Sequence, residues 1–306
     1  MDFTPGESQQ AVAGLAADVL TAADPWKELA KAGLLSLGVL DTTTLLTEIG
    51  RRAPELAMKA LATLMTGALP VDRWGSGQLK EELRPAVSSG ELVLTAAIRE
   101  APLADQAALI LVPVDAGVAL VEPGGVTLAP IPTSSGYPSF LLQLDQAPAG
   151  QLPGGPLLGG QECARDLEDL AVAGACALID GAVAGALALT RDHVATRRQF
   201  GRPLAEFQAV SQQIADVYIA SRTMHLATVS ACWRLDGQRD PGADLSVAGY
   251  WCAGQAHQAV RLCHHLHGGL GMDVTYPLHR FSALVMDLTR YLGGAEYQLE
   301  RQCSST

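Results

Sequence analysis

The spacing of apolar positions divides the chain into three textures. Over residues 1–89 they recur at three and four: Trp26, Leu29, Ala30, Gly33 and Leu34 after the Asp24-Pro25 start signal, then residues 42–49 and 55–65. That period predicts a layer of helices, and no acid, base or nucleophile clusters in it. Over residues 90–160 the pattern shortens to β-prone runs at 91–95, 107–114, 117–122, 125–128 and 139–144. They are punctuated by Pro123-Gly124-Gly125 and Pro130-Ile131-Pro132. A small antiparallel β-domain is expected there, with a Gly- and Pro-rich linker over 149–160. Over residues 161–306 the pattern is helical again, with long runs at 162–198, 204–235, 245–267 and 277–292. Short connections between them predict an up-down four-helix bundle. The first of these helices would be about 50 Å long. Its small residues Ala173, Gly174, Ala177, Gly181, Ala184, Gly185 and Ala188 allow a neighbouring helix to approach closely. The expected fold is mainly α with a small β-domain.

Composition narrows the partners. With 21 Lys and Arg against 32 Asp and Glu the net charge is −11, and no basic stripe offsets it, so nucleic acid is not an expected partner. The N-terminal residues lack a basic stretch followed by an apolar run and a small-residue cleavage site, so a cytoplasmic location is expected. Charges such as Asp180 and Arg191 interrupt the apolar runs, which fits bundle helices better than membrane spans. The six cysteines show no CxxC pair and read as reduced, buried, small apolar residues. Cys263, His264 and His267 would share helix faces, but no second ligand cluster follows, so no metal is expected.

Two stretches carry candidate chemistry. RRQFGRPLAEFQ, residues 197–208, ends one long helix, turns through Gly201 and Pro203 and opens the next. A corner of this kind presents planar guanidinium donors beside the unpaired N–H groups of a helix N-terminus, which suits a pyrophosphate. It also reads as a solvated basic turn. In HHLHGGLGMDVTYP, residues 264–277, the glycines follow a helix rather than a strand, which removes the Rossmann dinucleotide reading. They permit positive φ and close approach of a ligand or a second subunit, or form an ordinary helix-ending turn.

RRQFGRPLAEFQ, then HLHGGLGMDVTYPLHR some 55 residues later, then LTRYLGGAE, resemble the acyl-CoA dehydrogenase family in order and spacing over the whole C-terminal half. Down to VYIASRT and the chain's ending, that half is most similar to the short subunits of actinobacterial heterotetrameric (α2β2) acyl-CoA dehydrogenases acting on cholesterol side-chain CoA thioesters. The resemblance implies an N-terminal helical region, a middle β-domain and the C-terminal bundle. It further implies an FAD shared with a homologous full-length partner subunit, an acyl-CoA substrate and an electron-transfer flavoprotein as acceptor. By motif position Arg197 would meet the pyrophosphate, Phe200 would pack on the flavin and Gln208 would supply a hydrogen bond. Gly268 and Gly269 would approach the adenosine half. His265 stands where the family usually has Gln, and Gln199 where a hydroxyl or amide donor is usual.

The departures from the family matter as much. The Thr-Glu-Pro, Gly-Ser-Asp and Trp-Ile-Thr segments that cover the flavin ring are replaced by LVLTAAIREAPLADQAALILVPV. Forming a 2-enoyl-CoA requires a carboxylate to take the α-proton while hydride leaves the β-carbon. The family's two positions for that Glu fall here on Leu292 or Gly293 and on Ala171, so no catalytic residue is expected in this chain. Asp169 lies about 200° around the helix from Ala171, and Glu168 is displaced from it by about 4.5 Å along the axis. Glu296 follows the Gly-Gly turn. The expected function is that of a subunit completing its partner's FAD site. The rivals are a flavin-free scaffold and an autonomous homo-oligomeric dehydrogenase with a relocated base.

Overall fold

The computed structural model describes residues 3–143 and 157–304. The N-terminal layer contains α1 (Glu7–Val19), α2 (Pro25–Lys31), α3 (Val39–Arg52), the single turn α4 (Ala57–Ala60), α5 (Leu69–Trp74) and α6 (Gly77–Ser88). Local chemistry sets their ends. Asp24 accepts from the Lys27 N–H at 3.3 Å with Pro25 at the first helical position, and Ser76 caps α6 through the Leu79 N–H at 3.2 Å. Between α4 and α5 the chain winds as a π-helix over Leu61–Ala68, a wide turn whose Gly67 lets the backbone press against Leu94.

The β-region forms two small sheets. One has the order β1 (Leu94–Ala96), β3 (Leu109–Val114), β4 (Gly117–Val121), β7 (Leu157–Gly159); the other has β2 (Ala101–Pro102), β6 (Ser139–Gln143), β5 (Thr127–Ile131). Three expectations are corrected here. β1 pairs with β3 in parallel, Leu94 opposite Leu109, so the first sheet is mixed rather than antiparallel. Pro130 and Ile131 lie inside β5 rather than in a turn, with Ile131 at the strand's end. β7 occupies the end of the expected linker and pairs with β4, an approach allowed because Gly117 has no side chain: a Cβ there would overlap the Gly159 carbonyl. The rest of that linker, residues 149–156, lies outside the described residues.

The bundle consists of α7 (Gln161–Thr196), α8 (Gln208–Asp236), α9 (Gly242–His267) and α10 (Leu278–Tyr291). The second helix starts later than its apolar pattern predicts. Pro203 and a 3₁₀ turn over Leu204–Glu206 delay it to Gln208, and a two-stranded hairpin, β8 (Arg198–Gln199) with β9 (Arg202–Pro203), precedes that turn. A further helix, α11 (Gly294–Ser304), follows the Gly293-Gly294 turn and packs on α9. Cys303, on α11, is exposed, against the expectation that all six cysteines are buried; the other five are.

α7 is the axis of the molecule. Every residue from 170 to 183 is buried. By length and composition it could cross a membrane, but 89% of its apolar window is packed inside the protein. It touches α3, α8, α9 and α10, and the largest core cluster runs without a break from Val12 and Leu69 to Leu170 and Leu292. The small residues lie where α3 crosses. A Cβ on Gly181 would overlap the Thr47 carbonyl oxygen, and one on Gly50 would overlap that of Leu178. The β-region is clasped to the bundle through Asp287 of α10. This fully buried carboxylate accepts the N–H groups of Ser134 and Ser135 at 2.8 Å each, and Arg290 reaches Glu100 at 3.0 Å and the Pro132 carbonyl at 2.8 Å.

The crossing is directly testable. Gly181→Ala should destabilise the chain by about 1–3 kcal/mol, the usual cost of overpacking a filled interior. Gly14→Ala, in α1 where an added methyl meets nothing within 4 Å, should leave the melting temperature unchanged or raise it. Thermal melts of both variants check this, and equal melting temperatures would show that α3 and α7 can separate at little cost.

Candidate functional site

The Arg197 corner is a built feature rather than a loose turn. α7 stops at Thr196; Arg197 leaves the helix with ψ 123°, its N–H donating to the His193 carbonyl at 2.8 Å while its own carbonyl accepts from Leu204 at 2.8 Å. The hairpin pairs Arg198 with Pro203 and Gln199 with Arg202, leaving Phe200 and Gly201 as a two-residue turn at φ 51° and 83°. Both left-handed values match the type I′ geometry that the strand twist demands. For Phe200 that conformation is uncommon, and it holds the ring out, 92% exposed. Three contacts stiffen the arrangement. Arg198 donates to the Gly201 carbonyl at 2.9 Å, Arg202 stacks on the Phe207 ring at 4.1 Å, and Phe207 meets Phe200 edge-on at 6.3 Å.

Two of the corner's cations are thereby occupied and one is not. The Arg197 guanidinium is exposed and makes no hydrogen bond or ion pair among the described residues. Gln208, also exposed, is the first residue of α8, a helix start with no side-chain cap, so its leading N–H groups face outward. Gln199 sits exposed on β8.

The second stretch meets the first at the same end of the bundle. The last residue of α9, His267, stacks on His193 at 4.5 Å, four residues before Arg197. His267 donates through Nδ1 to the Cys263 carbonyl at 2.8 Å and accepts at Nε2 from the Tyr276 hydroxyl at 3.1 Å. Burial lowers the pKa of both rings, and Arg197 and His267 add their charges against protonation of His193. His264 is likewise committed, to the Gly271 carbonyl at 2.9 Å and the Ser282 hydroxyl at 3.0 Å. Among the described residues no three His, Cys, Asp or Glu side chains gather as metal ligands. Beyond His267 the chain turns at Gly268 with φ 59°. A Cβ on Gly268 or Gly269 would meet nothing within 4 Å, and His265 is exposed beside them. The backbone is therefore open to a neighbour from outside the chain.

Ala171 and Leu292, 121 residues apart in sequence, line one cavity of about 90 Å³. Among the described residues Glu168 is the only carboxylate on its wall, and it is itself exposed. Asp169 is held away by Arg301 at 2.5 Å, although burial still raises its pKa. Glu296 is exposed on the first turn of α11, outside the cavity. Arg99 reaches in from the β-region and lies over the Tyr297 ring at 3.8 Å. Neither this pair nor the His193–His267 stack has a periodicity signal; each joins residues far apart in sequence.

Residues 170–302 match the acyl-CoA dehydrogenase C-terminal domain. The acyl-CoA dehydrogenase FadE28 of Mycobacterium tuberculosis is 38% identical, with all of this chain and all of that protein covered. Among solved structures, the ChsE4-ChsE5 complex from Mycobacterium tuberculosis is similar at 27% identity and a TM-score of 0.87 over 98% of this chain and 97% of that one. The Tcur3481-Tcur3483 steroid ACAD is similar at 27% identity and a TM-score of 0.86, over 98% of each chain. A bundle ending in the Arg197 hairpin and the Gly268 turn, with a full-length relative at this identity, makes the chain a member of the acyl-CoA dehydrogenase family.

Proposed function

We propose that the chain is the non-catalytic subunit of a hetero-oligomeric, FAD-dependent acyl-CoA dehydrogenase. Its partner is a homologous full-length chain, and the substrate is a steroid side-chain CoA thioester. One observation carries the reading: Ala171 and Leu292 face a common cavity that has no positioned base, while the hairpin at the other end of α7 keeps an unpaired guanidinium and an extended aromatic ring. An autonomous enzyme needs the first site, whereas a subunit serving its neighbour needs only the second. The steroid substrate and the mixed assembly draw support from the complexes that the similar solved structures form.

The residues fit the proposed division of labour. Bound FAD supplies a hydride acceptor, which no protein side chain can provide. On this chain Arg197 binds the pyrophosphate as a charge-assisted donor, reinforced by the open N-terminus of α8. Phe200 presents an apolar face to the flavin, and Gln199 and Gln208 offer amide donors. At Gly268 and Gly269 the adenosine half can lie against backbone, with His265 at its edge. The partner contributes the base and the pocket for the ring. An electron-transfer flavoprotein is the proposed electron acceptor.

The chain purified alone should be colourless, and the co-expressed pair should be yellow with one flavin for each pair of unlike chains. Absorbance against protein concentration measures that ratio, and one flavin per chain in a homo-oligomer would overturn the reading. Arg197→Ala should weaken flavin retention roughly ten- to hundredfold, as expected for a lost charge-assisted contact of about 1.5–3 kcal/mol, without altering assembly. Titration of the flavin-free complex tests it; unchanged affinity would make Arg197 a solvated turn residue. Glu168→Gln and Glu296→Gln should keep turnover within a few-fold. Loss of a true general base costs about 10²–10⁴, so a thousandfold drop in either variant would put the base back in this chain.

A further inference from the structure

A second cleft, of about 440 Å³, opens between α1, α3, α7 and α8. Its α7 wall is Ala177 and Asp180; Asp180 lies nine residues past Ala171, about 13.5 Å along the helix from the vacated base position. The volume falls within the range of small-molecule sites, about 300–1,000 Å³.

Its polar equipment is unusual for its depth. Asp180 is 3% exposed on the apolar, Gly- and Ala-rich face of α7 and accepts from His225 Nδ1 of α8 at 2.8 Å. In the neutral ring a carboxylate at that nitrogen selects the tautomer with the proton on Nδ1, which leaves a lone pair on Nε2, and the ring lines the cleft. Among the described residues Nε2 has no hydrogen-bond partner. No Lys or Arg among the described residues lines the cleft, and its other carboxylate, Glu48, is already held by Arg52 at 2.6 Å. The threonine hydroxyls on α3 are turned inward too: Thr43 and Thr44 donate to the Leu40 carbonyl at 2.9 Å, and Thr47 donates to that of Thr43. On α1 the amides of Gln9 and Gln10 also line it but are engaged, donating to Thr44 Oγ1 at 3.4 Å and to the Pro5 carbonyl at 2.7 Å, and Leu40, Val229 and Trp233 supply the apolar part of the wall.

This inventory excludes phosphates, carboxylates and CoA, which would enter with no countercharge. It equally disfavours a cation, because both carboxylates are spoken for. What remains is an uncharged hydrocarbon body of ring-system size carrying one hydroxyl donor. We infer that the cleft is a second ligand site, separate from the flavin corner, which binds a neutral polycyclic alcohol through its hydroxyl to His225 Nε2, with Asp180 as the residue that positions the ring. The choice of a steroid as the polycyclic alcohol rests on the function proposed above; the cleft and its dyad do not.

The test is equilibrium dialysis of tritiated dehydroepiandrosterone against the intact complex, without CoA substrate. Saturable binding of one steroid per copy of this chain is expected. His225→Phe should weaken it at least tenfold, and Val229→Trp, which fills the cleft one helical turn from His225, should abolish it. Flavin content should be unchanged in both variants. Androstenedione, which has no hydroxyl donor, should bind at least tenfold more weakly than the alcohol. Absence of saturable binding, wild-type affinity in both variants, or equal affinity for the two steroids would each overturn the proposal. Because dialysis involves no turnover, a complex that dehydrogenates only straight-chain thioesters would defeat the steroid substrate reading while leaving this measurement to stand or fall by itself.

Discussion

Backbone against backbone, where α3 crosses α7, is the contact on which the rest of the molecule depends. Gly50 and Gly181 each meet a carbonyl of the opposing helix, and Gly185 continues the seam with the Arg51 carbonyl within 2.6 Å of where its Cβ would be. Helices approach this closely only where side chains are missing, and dispersion over such a seam is large because no layer of side chains dilutes it. The crossing joins the N-terminal layer to the bundle in one core. It also fixes the direction of α7, and with it the positions of the cavity at Ala171 and of the hairpin beyond Thr196.

These two places have different fates along one rigid helix. At Ala171 the wall is apolar and nothing holds a carboxylate in position, since Asp169 is drawn off by Arg301 and Glu168 lies in solvent. At the far end the chain accepts an unfavourable left-handed Phe200 and leaves a guanidinium unpaired. Strained backbone persists only where its surroundings hold it, and here the hairpin, the Arg198 bond to the Gly201 carbonyl and the Arg202–Phe207 stack do so. Preorganisation of this sort lowers the ordering cost of meeting a ligand or a second chain.

The helical part was largely legible in the sequence because its cause is local. Three-and-four periodicity marks α3, α7, α9 and α10, and Asp24-Pro25 marks the start of α2. The late start of α8 escaped because residues 204–207 are apolar in the right places while Pro203 and the 3₁₀ turn decide the backbone. The parallel pairing of β1 with β3 escaped because strand direction is set by what the chain does between strands, here a detour through β2 in the other sheet. Of the candidate site, the sequence singled out Arg197, Phe200, Gln208 and the glycines as motif, and their places at one end of the bundle follow from the ends of α7 and α9. The shared cavity of Ala171 and Leu292 and the stack of His193 on His267 are products of tertiary packing alone.

The Asp287 clasp has a consequence for how such a chain can diverge. Two of its three bonds to the β-region end on the main-chain N–H groups of residues 134 and 135, which any amino acid except proline provides, and the third comes from the Ser135 hydroxyl at 2.6 Å. On the loop side only Ser135 contributes a side chain to Asp287, while the bundle supplies both Asp287 and Arg290, the latter paired with the buried Glu100. Selection acting on such a joint is lopsided. Segments of the sheets away from Glu100 and residues 132–135 can change without touching the groups that anchor them to the helix they sit on.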